Sequence, residues 1–538
     1  MILFPEQAVA CFLLLIRETE AMHRSLQAAL STAGLCLLLL YPADTGFAAS
    51  SQTADTLSQI QTVVVIYDEN RSFDSLYGRF PGAEGLDQAP DSAKIQRDRD
   101  GSVLPELPPV WGGITAFGVK PAITQAMSAH LPNGPFQVDA TDGLNVADGV
   151  PTTDLWHRFY QNQAQINGGR NDQFVAWTNV GAMVMANWDG SRMKMWKIAQ
   201  RYTLADHFFM GGFGGSFFNH QWLICACAPY YPHADKSPAA ALIAETGADR
   251  AKLLLAANSP KSVLDGPPKY AHDGDLTPDF YAVNTMQPPY QPSEGPVNKG
   301  GDPAFADPAR PTTLVPQTAA TIGDRLSDAG VSWAWYAGAW SEVLTHGFHS
   351  PVPDFQTHHQ PLNYYKSFAP GTAARQEHLR DGGMAGRALI ADIDAGRLPQ
   401  VAFYKPQGNL NEHSGYTDIM SGDAHLAEVI GHLEHSPQWP HMLVIVTYDE
   451  NGGLWDHVAP PKADRWGPGS RIPAIIISPF AKKGVVDHTP YDTTSIQRFL
   501  NRRFGLKPLP GLVVRDESVR KRSGIALGDL TGALTLTP

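Results

Sequence analysis

Val63-Val64-Val65-Ile66-Tyr67-Asp68-Glu69-Asn70 and Leu443-Val444-Ile445-Val446-Thr447-Tyr448-Asp449-Glu450-Asn451 share one pattern, an apolar run followed by Tyr-Asp-Glu-Asn. Such continuous runs of β-branched residues predict strands buried on both faces of a sheet. Ligands of open α/β sheets bind at the carboxyl ends of the strands, which here carry carboxylates. We therefore expect an α/β fold in which two neighbouring strands direct oxygen ligands at one cation. The alternative is two acidic turns that resemble each other without a shared role.

The composition is that of a globular protein with a sizeable core. The chain has 538 residues, of which 43% are hydrophobic and 17% charged, enough for one large α/β domain or two smaller ones. A formal net charge of −12 argues against nucleic acid as a partner, because binding a phosphate backbone needs a concentrated basic surface. Cys225 and Cys227 are predicted to pack as two small hydrophobic side chains on a strand, not as a disulfide or a zinc-ligand pair.

The N-terminus carries the pattern of an export signal. A basic start after Met22, an apolar stretch up to Tyr41 and a small-residue segment at 46–49 are typical of a secretory signal peptide. We assign residues 1–49 to a leader and signal, with 22–49 as the signal itself; a membrane anchor is the alternative. The mature protein is then expected to lack a transmembrane segment and to be periplasmic or secreted.

Helix and strand patterns alternate along the rest of the chain. A helical pattern that stops at Gly330 precedes a predicted strand at Val331–Tyr336. A helix with Asp423 as its predicted N-cap precedes the second acidic strand. A buried strand is predicted at Ile472–Ser478, and a last helix is predicted to end at Gly505.

A segment rich in proline and glycine interrupts this alternation at residues 288–311. Its composition predicts an irregular surface excursion. Because residues with the predicted ligand chemistry lie on both sides of it, we expect residues 50–538 to form a single domain with an insertion.

Ser216 is the candidate nucleophile, because it follows the glycine-rich segment Gly211-Gly212-Phe213-Gly214-Gly215. Glycines allow the backbone to approach a ligand closely. Phe218 excludes the Gly-x-Ser-x-Gly nucleophile elbow, and the absence of lysine excludes a Walker loop. Serine is a weak nucleophile at neutral pH, so a base or a cation must activate it. A flexible connection without a chemical role is the alternative.

Four histidines stand beside glycine, asparagine or acidic residues in segments that resemble loops: His157, His358, His359 and His413. Imidazoles in such positions can hold phosphoryl oxygens or protonate a departing alkoxide. The alternative for each is a surface or capping residue.

Several motifs together resemble the bacterial phosphoesterase family that contains acid phosphatases and phospholipases C, over about Val63 to about Leu509. They are Glu69-Asn70-Arg71-Ser72-Phe73-Asp74, Asn167-Gly168-Gly169, Ser216 with Asn219-His220, His358-His359, Tyr448-Asp449-Glu450-Asn451-Gly452-Gly453, Asp456-His457-Val458 and Gly467-Pro468-Gly469-Ser470-Arg471-Ile472-Pro473.

The resemblance implies an alkaline-phosphatase-like three-layer α/β/α sandwich with a largely parallel central sheet. It also implies one divalent cation, with Ca²⁺, Mg²⁺ or Mn²⁺ favoured by oxygen ligands and iron as the alternative. The implied metal ligands are Glu69, Asn70, Ser216, Asp449 and Glu450. The implied phosphate-binding residues are Asn70, Asn219, His157, His358, His359 and His413.

Within that family the acid phosphatase branch is favoured, because the nucleophile position holds serine, whereas the phospholipases typically have threonine after Gly-Pro. We therefore expect a secreted metal-dependent acid phosphatase that hydrolyses small phosphate monoesters through a phosphoserine on Ser216. His413 or His157 would protonate the leaving group. The alternatives are a phospholipase C or other phosphodiesterase acting on phospholipid headgroups, and a non-catalytic calcium-stabilised protein.

Overall fold

A computed structural model of the protein describes residues 56–348 and 354–536, so the predicted leader and signal peptide at 1–49 lie outside the described residues. The strands are β1 Thr62–Asp68, β2 Phe136–Gln137, β3 Ala186–Asn187, β4 Thr203–Ala205, β5 Phe208–Phe209, β6 Trp333–Gly338, β7 Leu379–Gly383, β8 Val401–Lys405, β9 Met442–Tyr448, β10 Ala474–Ile477, β11 Val485–Asp487 and β12 Tyr491–Asp492.

Eight of these strands form one sheet in the order β11-β4-β10-β9-β1-β8-β6-β7. Strand β10 runs antiparallel to both of its neighbours, and the other pairs in the sheet are parallel. The sheet is therefore largely parallel, as predicted. β1, β8 and β9 are buried along their whole length, which explains why their sequences lack the alternation of a half-exposed strand.

The helices alternate with the strands and form two groups. They are α1 Phe73–Leu76, α2 Asp91–Lys94, α3 Phe159–Ile166, α4 Lys194–Arg201, α5 Ser216–Cys225, α6 Ile322–Asp328, α7 Trp340–His346, α8 Ala373–His378, α9 Arg387–Asp394, α10 Ile419–His435, α11 Thr494–Phe504 and α12 Pro510–Ser523. Helix α10 contacts α4 and α9, and α5 contacts α6 and α11.

The two groups cover opposite faces of the sheet. Tyr67 of β1 donates a hydrogen bond to the Asn219 carbonyl of α5 at 3.2 Å. The preceding residue of β1, Ile66, pairs with Tyr404, whose hydroxyl lies 2.7 Å from His425 Nε2 of α10. Because successive residues of a strand point to opposite faces, α5 and α10 lie on different sides. The three-layer α/β/α architecture is confirmed.

The duplicated strands β1 and β9 are neighbours. They pair in parallel with Val63 opposite Leu443 and Asp68 opposite Tyr448. The carboxylates that follow them, Glu69 and Asp449, therefore leave the sheet at the same edge, as the repeated pattern predicts.

Helix α10 begins earlier than predicted, and its cap is a different residue. Asp418, not Asp423, accepts the hydrogen bond from the backbone N–H of Ser421 at the start of the helix. The Asp423 carboxylate instead accepts hydrogen bonds from the backbone N–H groups of Lys194 and Met195, each at 2.8 Å. It thus caps α4 from the neighbouring helix, a contact that the local pattern does not contain.

Two further predictions are wrong. Cys225 and Cys227 form a disulfide with a Cα–Cα separation of 5.1 Å, and Cys225 ends helix α5 where a strand was expected. The left-handed backbone of Ala226 between them turns the chain back, which brings the two sulfurs together. The helix that ends before Gly505 is also not the last, because α12 follows it.

The proline-rich excursion at 288–311 contains isolated bridges, such as Tyr290 with Phe305 and Val297 with Ala306, and its part in a single domain stays a prediction. Among the described residues, no helix is both long and apolar enough to cross a membrane.

Candidate active site

Ser216 is the first residue of helix α5, directly after the glycine loop formed by residues 211–215. Gly214 has a φ of +92°, and a Cβ on it would lie 2.5 Å from the backbone nitrogen of Phe159. Any side chain there would clash with the segment that carries His157. The loop therefore brings the serine backbone close to a candidate pocket histidine.

The Ser216 hydroxyl lies between two of the predicted ligands. Its Oγ is 3.2 Å from Asn70 Oδ1 and 3.2 Å from Glu450 Oε1. The backbone N–H of Asn70 donates to Asp449 Oδ1 at 3.3 Å. The structure thus brings Asn70, Ser216, Asp449 and Glu450 together from three segments, with a separation of 146 residues between Asn70 and Ser216 and of 234 between Ser216 and Glu450.

Asn219 supports the glycine loop from within α5. Its Oδ1 accepts from Gly212 N at 2.8 Å, and its Nδ2 donates to the carbonyls of Gly214 and Gly215 at 3.0 and 3.2 Å. The side chain is fully buried, so every polar atom of its amide is used by the loop. These contacts hold the glycine loop in place, and the implied role of Asn219 in phosphate binding stays a prediction.

Glu69, the remaining predicted ligand, contacts an ammonium, an imidazole and a phenol hydroxyl. Its Oε1 contacts His359 Nε2 and lies 2.9 Å from the ammonium of Lys405, while Oε2 accepts from the Tyr416 hydroxyl at 3.2 Å. Burial alone would raise the pKa of Glu69, but Lys405 and His359 lower it well below its ordinary value. His359 thus contacts this carboxylate, and its implied role in phosphate binding stays a prediction.

The carboxylates of the site outnumber its buried ammonium group. Glu69, Asp449, Glu450 and Lys405 are all fully buried, and Lys405 Nζ lies 3.9 Å from Asp449 Oδ2. Burial, reinforced by the charges of Glu69 and Glu450, raises the pKa of Asp449 well above its ordinary value despite Lys405. One ammonium does not neutralise three carboxylates in a low-dielectric interior.

These donors fit a divalent cation. Asp449 Oδ2 is buried and accepts no hydrogen bond from the residues that the structure describes. Asn70 Oδ1 and Glu450 Oε1 each lie within hydrogen-bond distance of Ser216 Oγ, and together these atoms give the oxygen-rich set that hard cations prefer. Glu69 also lies within ligand distance of His358 and His359, but the ammonium beside Glu69 makes the Ser216 side the better place for a cation.

A pocket of about 460 Å³ opens above Ser216. Three of the predicted histidines line it: His157, His358 and His413. His413 stacks on Tyr416 with ring centroids 4.4 Å apart, and the rings of His157 and His413 lie 5.5 Å apart. A phosphoryl group bound over the serine would therefore meet imidazoles on several sides.

His157 is held between two carboxylates. Its Nδ1 is 2.5 Å from Glu450 Oε1, and its Nε2 is 3.6 Å from Asp154 Oδ1. Burial lowers the pKa of His157, but Glu450 and Asp154 outweigh burial and raise it well above its ordinary value. The ring can therefore hold a proton near neutral pH and present it to the pocket.

Three residues of the site were not identified from the sequence: Lys405, His220 and Asp154. Lys405 ends the apolar strand β8, and a charged residue at the end of a buried strand is the signal that could have revealed it. His220 Nδ1 lies 2.7 Å from the Ser216 carbonyl, one helical turn along α5. Asp154 precedes His157 by three residues, a spacing at which an acid can hold an imidazole.

A second pair of buried acids lies behind the site. Both carboxylate oxygens of Asp68 and Oε1 of Glu412 lack hydrogen-bond partners among the described residues, while the Tyr448 hydroxyl donates to Glu412 Oε2 at 2.9 Å. Burial raises the pKa of Glu412 to about 8, although Arg71 lowers it. The folded protein holds the carboxyl proton of Glu412 more tightly than the unfolded chain does. Glu412 therefore contributes stability that is fully present below its unfolded pKa of about 4.3 and is lost as the pH rises through about 8.

We therefore expect Glu412→Gln, which mimics the protonated form, to remove part of the loss of stability that the wild type shows between pH 5 and 8.5. The free energy of unfolding, measured by urea denaturation at both pH values, should favour the variant more at the higher pH. Glu428→Gln, on the exposed side of α10, is the matched control. An equal change at both pH values would show that Glu412 is ionised throughout.

Comparison with known proteins gives one family and a set of curated relatives. Residues 60–507 match the Phosphoesterase family. The chain is similar to the non-hemolytic phospholipase C of Pseudomonas aeruginosa, at 24% identity over 509 residues that cover 89% of this chain and 57% of the relative. It is also similar to phospholipase C A of Mycobacterium tuberculosis, at 23% identity over 506 residues that cover 89% of this chain and 77% of the relative. The chain thus spans little more than half the length of the Pseudomonas protein.

Among solved structures, a protein of the alkaline phosphatase superfamily from Vibrio parahaemolyticus matches with a TM-score of 0.31 and 10% identity, over 67% of each chain.

Proposed function

This chain belongs to the phosphoesterase family, and on that premise we propose that it is a metal-dependent phosphoric ester hydrolase that cleaves phosphate monoesters through a phosphoserine on Ser216. The observation that carries the proposal is the position of the Ser216 hydroxyl. It lies at the floor of a pocket, 3.2 Å from both Asn70 Oδ1 and Glu450 Oε1.

Ser216, Glu450 and a histidine have separate roles in the proposed reaction. Ser216 Oγ forms a bond to phosphorus while its proton passes toward Glu450 Oε1. The bond from phosphorus to the ester oxygen breaks in line, and His157 or His413 supplies the proton that the departing alcohol needs. Water then attacks phosphorus and gives a proton to the histidine that lost one, the Oγ–phosphorus bond breaks, and the serine recovers its proton from Glu450.

Preorganised donors around the pocket support this reaction. His157, His358 and His413 line the space where the phosphoryl oxygens would lie, and donors aimed at developing charge are the main source of such catalysis. A divalent cation held by Asn70, Ser216, Asp449 and Glu450, with Glu69 beside them, would lower the pKa of the serine hydroxyl and neutralise phosphoryl charge. The oxygen donors favour Ca²⁺, Mg²⁺ or Mn²⁺, with iron as the alternative.

A phospholipase C activity is the second candidate. It is favoured by the printed names of the curated relatives, which are phospholipases C at 23–24% identity. Trp156 and Asp154 also line the pocket. They supply an aromatic ring and an exposed carboxylate that could face a cationic headgroup. The serine at the nucleophile position argues against a phospholipase C, because it resembles the nucleophile of the phosphatases of the family.

Two chromogenic substrates separate these candidates. We expect the purified protein to release nitrophenol from 4-nitrophenyl phosphate at least tenfold faster, in kcat/KM, than from 4-nitrophenylphosphorylcholine. The reverse ratio would assign the chain to the phospholipase C type, and turnover of neither substrate would leave the non-catalytic alternative. Because the predicted signal peptide lies at 22–49, we further propose that the mature protein is periplasmic or secreted.

A further inference from the structure

A second cluster of side chains with metal-ligand chemistry lies at the same edge of the sheet, after the two strands beyond β10. Asp206 directly follows β4, and His488 directly follows β11. These two strands are adjacent and parallel, so both residues emerge at their carboxyl ends, with His207 beside them. We call Asp206, His207 and His488 the rim cluster.

The geometry points to a second metal site: we propose that the rim cluster binds a zinc-like divalent transition metal through two imidazoles and one carboxylate. His207 Nδ1 lies 3.0 Å from Asp206 Oδ1, and His488 Nδ1 lies 2.8 Å from Asp206 Oδ2. One ligand atom from each of the three residues can be chosen so that all lie within 4.8 Å of one another. Ligands around a tetrahedral zinc with bonds of 2.0–2.1 Å are about 3.3 Å apart, so the cluster needs little movement to close on an ion.

Glu84, in a loop that follows α1, contacts two residues of the rim cluster. Its Oε2 lies 3.0 Å from His207 Nε2, and its backbone N–H donates to Asp206 Oδ2 at 2.8 Å. A histidine that binds zinc through one nitrogen commonly donates its other N–H to a carboxylate, which fixes the ring and raises its basicity. Glu84 therefore holds two of the three ligands in the orientation that a metal requires.

Charge and exposure agree with a bound cation. Asp206 is fully buried, whereas the side chain of His488 is 59% exposed, so solvent can reach the ligand atoms. Two neutral imidazoles with Asp206 and Glu84 carry two negative charges, which one divalent ion balances. Arg471 also faces the cluster, but it donates to the backbone carbonyls of Asp206 and Glu84, and its charge is paired with Asp74 and Asp456.

The donor type separates this site from the one at Ser216. The rim cluster offers nitrogen and one carboxylate, which suits zinc and related transition metals, whereas the Ser216 site is oxygen-rich. With three protein ligands and an exposed side, the fourth position would be filled by water.

Metal counting on the full chain tests this proposal. Chelator-stripped protein is titrated with Zn²⁺, and with Co²⁺ as a spectroscopic probe, because four-coordinate Co²⁺ with imidazole ligands absorbs far more strongly in the visible than octahedral Co²⁺ with oxygen ligands. We expect His488→Ala to bind one equivalent less than wild type and to lose the strong absorption. Glu84→Gln should still bind this equivalent of metal, but with an affinity about 10–100-fold lower than that of the wild type. Hydrolysis of 4-nitrophenyl phosphate by His488→Ala should stay within about twofold of wild type.

The matched control is His432→Ala, which removes an exposed imidazole 2.7 Å from the single carboxylate of Asp394. It should bind as many equivalents as wild type. Equal zinc stoichiometry and affinity in wild type, His488→Ala and Glu84→Gln would overturn the proposal, as would strong cobalt absorption that survives in His488→Ala. Loss of hydrolysis without loss of the equivalent would contradict the separation of the two sites.

Discussion

Ser216→Ala is expected to lower kcat for phosphate ester hydrolysis by about 10⁴-fold or more, the scale seen when a covalent nucleophile is removed. The hydroxyl lines the pocket and lies 3.2 Å from Glu450 Oε1, a carboxylate oxygen that can accept its proton. Steady-state rates with 4-nitrophenyl phosphate, alongside metal content and thermal unfolding, measure the effect.

Two variants make the result interpretable. Ser216→Thr keeps a hydroxyl at the same Cβ and should retain part of the activity, and Ser237→Ala, at the N-cap of the short 3₁₀ helix Pro238–Leu242, should leave the rate unchanged. Retained fold and metal content with lost turnover would assign Ser216 to the chemistry. Unchanged turnover in Ser216→Ala would remove it from the mechanism.

The sequence predicted the parts of the fold that local pattern determines. Uninterrupted β-branched runs predicted β1 and β9, and the repeated Tyr-Asp-Glu-Asn predicted that their acidic ends meet, because parallel neighbours share one carboxyl edge. The glycine loop was likewise visible, since only glycine tolerates the approach of His157 and Phe159. These features depend on a few adjacent residues.

The features that were missed depend on contacts between distant segments. The predicted cap, Asp423, serves α4 instead of its own helix, and only the packing of α4 against α10 decides this. The disulfide of Cys225 depends on a left-handed turn at Ala226, for which alanine gives no indication. The family resemblance implies that Asn219 binds phosphate, which stays a prediction, but it gives no sign that the amide of Asn219 contacts the backbone of its own loop.

Lys405 is the most consequential residue that the sequence did not reveal. It lies fully buried at the end of β8, 2.9 Å from Glu69 Oε1 and 3.9 Å from Asp449 Oδ2. It also donates to the Asp68 carbonyl at 3.2 Å. The ammonium thus bridges the ends of the duplicated strands and supplies one positive charge among three buried carboxylates.

We expect Lys405→Met, which keeps the length of the side chain but not its charge, to lower the free energy of unfolding by about 3–5 kcal/mol in chelator, because it leaves buried carboxylates unpaired. Saturating Mn²⁺ or Ca²⁺ should recover much of that loss, since a cation on the same carboxylates replaces the missing charge and binds the variant more tightly than the wild type. Urea denaturation with and without the cation measures both effects, with Lys483→Met, a partly exposed lysine that donates to the Ser478 carbonyl, as the control. The same loss in both conditions would show that Lys405 acts by packing alone. A loss confined to chelator would show that the ammonium and the metal stabilise one shared set of carboxylates at the ends of β1 and β9.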